Sequence, residues 1–427
     1  MAMLARILTA AKDYATKGPP LPSWTLSQTL TISTMRAFLL AVSTIDIKAG
    51  QKLVQRVRGP PWPRAIEAVD TTVEPRMDLD KRVPRLEQFK DHAPDGPVEA
   101  IDLAWSGNVT DTSDDARTTG TALFFHGGAH VAGSTETHRW FAWRLARAAG
   151  RCLSVHYSLS PSRPFPHALR DALTSYLYLI DPPVPTSSST SPLTPTAVPP
   201  SQIILAGDSA GGNLTLSTLL AIRDAGLPLP AGGVAFSPWL DLTHSLGSQT
   251  SNVWDYIPDG HRDPTLVSEG RLHHYAPNPL LSHPYVSPLF APVSSLSGLP
   301  PVLVTCGSAE RLRDDSLLFA VRANEADGNV VLECYEDQLH VFQMFARAPL
   351  PVLSFTRMTS FIQACLRGTP PPASYTLVGA DHSMSPLSGA DVRAWVRRSA
   401  DEDPNRDRWR GREWERDVEK VMAEVTR

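Results

Sequence analysis

From about residue 98 onward, short apolar runs alternate with longer stretches of helical periodicity, and this alternation restricts the fold more than any other property of the chain. "VEAIDLAW", "GTALFFHGG", "GRCLSVHYSLS", "SQIILAGDS", "AGGVAFSPW", "PPVLVTCGS" and "NVVLECYED" read as strands. "THRWFAWRLARAAG", "PHALRDALTSYLYLI" and "NLTLSTLLAIRDAG" read as helices between them. Continuous apolar strands separated by amphipathic helices predict a mostly parallel sheet covered on both faces. The same texture divides the chain. Residues 1–95 are partly helical and broken by "GPPLPSW" and "GPPWPR", residues 96–370 hold the α/β unit, and residues 371–427 turn Pro/Gly-rich and then charged. Inside the α/β unit, residues 181–201 form a Pro/Ser/Thr stretch with the composition of a flexible surface loop.

The balance of the 427 residues is that of a soluble globular protein, with 42% hydrophobic, 20% charged and a formal net charge of −4. Such a charge gives no reason to expect nucleic acid or an acidic membrane as partner. Cys152, Cys306, Cys334 and Cys365 are scattered, with no C-x-x-C pair, so neither a disulfide framework nor a metal site is expected. The stretch "LTISTMRAFLLAVSTIDI" carries Arg36 near its middle and follows helical spacing through Ile32, Met35, Leu39 and Val42. It reads as an amphipathic helix packed on the protein, with peripheral membrane contact as the alternative, and not as a membrane span. The opening residues lack a secretory pattern, and a cytoplasmic location is expected.

"QIILAGDSAGGNL" places Ser209 in a G-x-S-x-G turn between an apolar strand and a helix. Small flanking residues fit a turn too tight for side chains, and the turn projects the serine at the helix N-terminus. A serine nucleophile needs donors for the oxyanion, a base, and an acid to orient the base. "TALFFHGGAH" offers the amides of Gly127 and Gly128, Ala210 offers a third, and His126 reads as a structural residue beneath that loop. His340 in "CYEDQLHVFQMF" follows the last apolar run and is the candidate base. For the acid, Glu310 is the first carboxylate after "PVLVTCGS", Asp314 is the runner-up and Asp241 a third choice, while Asp337 lies too near His340 in sequence. The order Ser209, Glu310, His340 is that of α/β-hydrolases.

These motifs, with "SLSPSRPFPHALRDAL", "FSPWLDLT" and "HPYVSPL", run in order from about residue 98 to 365 and resemble the hormone-sensitive-lipase family of α/β-hydrolases. The resemblance implies an α/β-hydrolase fold, with a mostly parallel eight-stranded sheet, helices on both faces and a helical cap. It makes Ser209 nucleophile, His340 base, Glu310 acid, and Gly127, Gly128 and Ala210 the oxyanion donors. The chain departs from the family pattern at Ala129, where a third glycine is usual, at Glu310, where aspartate is commoner, and at Ser158 and Ser162. The cap implied would combine the N-terminal region with an insertion at about 242–290. Trp239, Trp254 and Tyr256, with Tyr275, are candidates to line an apolar ester pocket. His261, His273 and His274 read as surface residues. The activity implied is hydrolysis of a small or medium hydrophobic ester, acetyl or another short acyl, without metal or cofactor. An acyltransferase, a lipase or a non-catalytic small-molecule binder of the same fold are the alternatives, and the oligomeric state is left open. Gibberellin receptors share the scaffold without the histidine, so His340 speaks against a binder.

Overall fold

The computed structural model describes residues 2–42, 45–89, 93–106, 118–182, 196–257, 266, 268–345, 348–403 and 410–425. All seven apolar runs are strands: β2 (Val98–Trp105), β3 (Gly120–Phe125), β4 (Gly150–His156), β5 (Ile203–Asp208), β6 (Gly232–Phe236), β7 (Val302–Gly307) and β8 (Val330–Tyr335). The sheet has ten strands, however, not the expected eight, in the order β1-β2-β4-β3-β5-β6-β7-β8-β9-β10. At one edge β1 (Ile66–Val73) pairs antiparallel with β2, Ile66 opposite Trp105 and Val73 opposite Val98. At the other, β9 (Ser374–Val378) pairs parallel with β8, and β10 (Met384–Leu387) closes the sheet antiparallel to β9. These edge strands are half exposed and mix polar with apolar residues, so no apolar run marks them. Pro386 in β10 sits on the outermost strand, where a missing N–H costs no ladder bond.

The central strands are buried on both faces, and their period-2 alternation divides the core. Ala122, Phe124, Ile204, Ala206, Val234 and Phe236 pack with α4 (Arg139–Ala149) and α8 (Pro349–Leu366) through Phe141, Leu145, Phe355 and Met358. Leu123, Phe125, Leu205 and Ala235 face the larger cluster on the other side. That cluster gathers α5 (His167–Ile180), α6 (Ala210–Asp224) and α7 (Arg313–Glu325). Before the sheet come α1 (Ala2–Lys17), α2 (Leu26–Val42) and α3 (Ile47–Gln55). Trp24 and Ile32 pack there with Tyr256, Ala309 and Leu339, over the loops that follow β7 and β8. Among the described residues no helix is long and apolar enough to cross a membrane.

The C-terminal segment continues into α9 (Gly389–Glu402), whose N-terminus carries a Ser388/Asp391 capping box, and α10 (Glu415–Val425). Trp414, Val418 and Val421 are buried in the large core cluster. Glu424 receives the Arg322 guanidinium at 2.6 Å and Asp417 accepts from Ser282 at 2.6 Å. The tail therefore docks on α7 and on the 242–290 insertion. Most of the 181–201 loop, and His261, lie outside the described residues.

Candidate active site

Ser209, the Gly127–Ala129 loop, Trp239, Glu310 and His340 all follow carboxyl ends of adjacent strands, where α/β sheets place ligands. Ser209 has φ 54° and ψ −118°, a conformation L-residues avoid, held by its amide on the Phe236 carbonyl at 2.8 Å. The turn closes because Gly207 and Gly211 lack side chains: a Cβ at 211 would run into the Phe125 carbonyl, and one at 207 into that of Gly211. The strain is spent on exposing one hydroxyl, and Ser209 Oγ lies 2.9 Å from His340 Nε2.

Ser237 and Asp255 tie the loop of Glu310 to that of His340, although the two side chains are not hydrogen-bonded to each other. Ser237 Oγ donates to Glu310 Oε2 at 2.6 Å and accepts from the Val341 amide at 2.9 Å. Asp255 accepts the Arg311 amide at 2.8 Å and a bond from the His340 backbone. Glu310 is fully buried, and its second oxygen, Oε1, has no partner; neither has the buried Nδ1 of His340. Burial pushes the Glu310 carboxyl up to about 8, against the Ser237 and Gly307 hydrogen bonds, and pushes the His340 imidazole down to about 3. The competing carboxylates are all engaged elsewhere. Asp314 accepts the Ser248 amide at 2.9 Å and the Arg313 guanidinium at 2.8 Å. Asp241 holds the amides of Thr243 and Ser245, and Asp337 that of Ser23. Neither Ser237 nor Asp255 carries a motif signal, and sequence reasoning passed over both.

One expected oxyanion donor is corrected. The Gly127 amide donates to Asp208 Oδ1 at 3.0 Å and is not available to a substrate. The amides of Gly128 and Ala129 have no protein acceptor among the described residues, and that of Ala210, first in α6, has none within its helix. Gly128 (φ 122°), Ala129 (φ 54°) and His130 (φ 58°) turn left-handed in succession, which re-aims these amides. Ala129, not Gly127, lines the cavity with Ser209. Asp208 also lies 3.4 Å from His138, whose imidazole burial lowers and this carboxylate raises, with a net rise. His126 stacks on Tyr157 with centroids 4.5 Å apart, and burial holds it well below the usual imidazole value. It is a structural residue beneath the loop, as read from the sequence.

A cavity of about 440 Å³ opens over Ser209, within the ordinary range for small-molecule sites. Of the four aromatic candidates only Trp239 lines it. Trp254 is 47% exposed and lies outside, and Tyr256 is buried with its ring 6.0 Å from that of His340. Tyr275 stacks on His130 at 3.7 Å. His273 and His274 are buried, contrary to expectation; His273 bonds the Leu242 carbonyl at 2.8 Å and lines the cavity. Among the described residues no cluster of His, Cys, Asp or Glu could hold a metal ion.

Comparison with known proteins identifies the family of the fold. A family model described as alpha/beta hydrolase fold matches residues 122–344. An acetyl-hydrolase of Streptomyces hygroscopicus is 34% identical over 59% of this chain and 77% of its own length. A mutant of the esterase E40 superposes with a TM-score of 0.61 at 28% identity, covering 82% of this chain and 99% of that one. An esterase from the bacterial hormone-sensitive lipase family gives 0.55 at 27% identity, covering 86% and 99%. With the elbow serine, the HGGA loop and the sheet order alike in place, the chain belongs to the hormone-sensitive-lipase-like family of α/β-hydrolases.

Proposed function

We propose that this serine carboxylic-ester hydrolase uses Ser209 as nucleophile, His340 as base and Glu310 as the acid that orients it. The observation that carries the reading is the 2.9 Å contact between Ser209 Oγ and His340 Nε2 on a strained turn beside free backbone amides. Ser209 Oγ attacks the ester carbonyl as His340 Nε2 takes its proton. The oxyanion is met by the amides of Gly128, Ala129 and Ala210, fixed donors that need no reorganisation as charge develops. His340 then protonates the departing alcohol, and water enters through the same steps to release the acid. Glu310 Oε1 and His340 Nδ1 are both buried and both without a hydrogen-bond partner among the described residues, and pairing them supplies the orienting hydrogen bond. Each unpaired buried group costs about 1–3 kcal/mol, which the pairing offsets.

The substrate is a small or medium hydrophobic ester with a short acyl group. The name of the Streptomyces relative, an acetyl-hydrolase, supports acetyl in particular. The insertion at 242–290 serves as a cap: His244, Ile257, Leu272 and His273 from it line the cavity. The N-terminal region steadies the loop of His340, where Trp24 Nε1 donates to the Asp337 carbonyl at 2.8 Å. The test compares kcat/KM for acetyl, butyryl, octanoyl and palmitoyl esters of one alcohol, each fitted methylene being worth at most about 1–3 kcal/mol. A maximum at the short chains is expected. A maximum at palmitoyl with activation at a lipid interface would make the enzyme a lipase, and negligible rates throughout would return it to the binders.

A further inference from the structure

The cavity over Ser209 is closed on one side by residues outside the stretch matched by the family model. Arg412 and Trp414, from the start of the docked C-terminal segment, line it together with Arg271 and Arg311 from the chain on either side of the insertion's end. This wall supplies three guanidiniums and an indole N–H, and no carboxylate lines the cavity among the described residues. Two of its donors are buried and have no acceptor, Trp414 Nε1 and Arg271 Nε. Arg271 is otherwise only loosely held, by the His274 carbonyl at 3.3 Å and Glu269 at 3.7 Å. Arg311 gives one N–H to the Gln249 carbonyl. Arg412 is exposed, and its guanidinium has no ion pair among the described residues. Unfilled donors beside positive charge select a ligand that only accepts and carries negative charge. The lining also carries apolar surface from Trp239, Ile257 and Leu272.

We propose that the C-terminal segment makes this cavity an anion-reading ester pocket, so that the preferred substrates are short esters carrying a carboxylate away from the scissile carbonyl, met by Arg412, Arg271 and the Trp414 N–H. The proposal rests on the esterase reading and names the substrate class of that same site. Anchoring of the segment by Trp414, Val418 and Val421 in the core, and by Glu424 on Arg322, holds the wall in place without ligand. The backbone that carries Arg412 and the Trp414 indole then lose little freedom on binding, which favours affinity.

Two pairs of esters test this and separate the two sides on which the carboxylate can sit. 4-Acetoxybenzoate against its methyl ester places the charge on the leaving alcohol. A glutarate monoester against the pentanoate of the same alcohol places it on the acyl group. Rates are divided by those of hydroxide hydrolysis to remove intrinsic reactivity. At low salt the wild-type enzyme should favour the charged member of one pair by about tenfold in kcat/KM, mainly through KM, as one charge-assisted contact warrants. Arg412→Gln should remove most of that preference, slowing the charged ester several-fold more than its neutral partner, Arg412→Lys should restore much of it, and Trp414→Phe should weaken it with the packing kept. Hydrolysis of both neutral esters with no charge preference in either pair, or equal losses for charged and neutral esters in Arg412→Gln, overturns the proposal and leaves the esterase reading standing. Failure to hydrolyse any of the four would overturn the esterase reading itself.

Discussion

Burying Glu310 completely sets its chemistry against the stability of the fold. Its folded pKa, raised to about 8 by burial, lies above the ordinary carboxyl value of 4.5, so the folded state holds the proton more tightly than the unfolded chain. Its contribution to stability is therefore intact below about pH 4.5 and lost as pH rises toward 8. Glu310→Gln removes that burden together with the carboxyl that orients His340. The variant should lose at least about a hundredfold in kcat, yet its melting temperature above pH 8 should exceed the wild-type value by about 2 °C or more. Thermal melts and kcat at several pH values check both signs. An active Glu310→Gln enzyme would contradict the assignment. Asp314→Asn should do the reverse, lowering stability through the lost Ser248 and Arg313 contacts with a smaller effect on kcat. The elbow, and the placing of Glu310 and His340 just after adjacent strands, could be read from sequence because each motif is local. Gly127 was misassigned because its amide is taken by Asp208, 81 positions away, and only the folded turn brings the two within 3.0 Å. Ser237 and Asp255 were missed for a similar reason, since each acts by bridging segments distant in the chain.

The loop Gly127–His130 is the element on which transition-state stabilisation depends in this account. Gly128 has φ 122°, and a Cβ there would run into the Ala132 carbonyl, so Gly128→Ala must move the loop that presents the Gly128 and Ala129 amides. Loss of one oxyanion donor costs about 10²–10³ in kcat. Gly128→Ala should fall in that range with KM changed far less, and steady-state kinetics with one acetyl ester measures it. A proportional rise in KM with kcat unchanged would assign the loop to substrate binding instead. Trp254 shows the limit of reading such elements from composition. An aromatic residue in a cap-like insertion looks like pocket lining, but Trp254 is exposed, and the cavity takes Trp239, Ile257 and Leu272 instead.

Across the molecule, the seven strands buried on both faces were evident as apolar runs, because both sides of each strand meet core. The three strands at the edges were not, since β1, β9 and β10 alternate exposed polar residues and draw their order from the neighbour they pair with. The docking of the tail was half legible: Trp395, Trp409 and Trp414 in a charged segment suggest a docked tail, but the sequence does not show that Trp414, Val418 and Val421 pack into the core or that the partners lie on α7 and the insertion. Everything in the account converges on one atom, Ser209 Oγ. The most direct measurement is therefore titration of the enzyme with a fluorophosphonate, following intact mass, the modified peptide and residual acetyl-ester hydrolysis together, with Ser209→Ala as the control. The account predicts one adduct per chain, mapped to Ser209, activity lost in proportion to labelling, and a folded Ser209→Ala protein that takes no label and is at least about a thousandfold slower. A label on another residue, or hydrolysis that survives full labelling of Ser209, would contradict it.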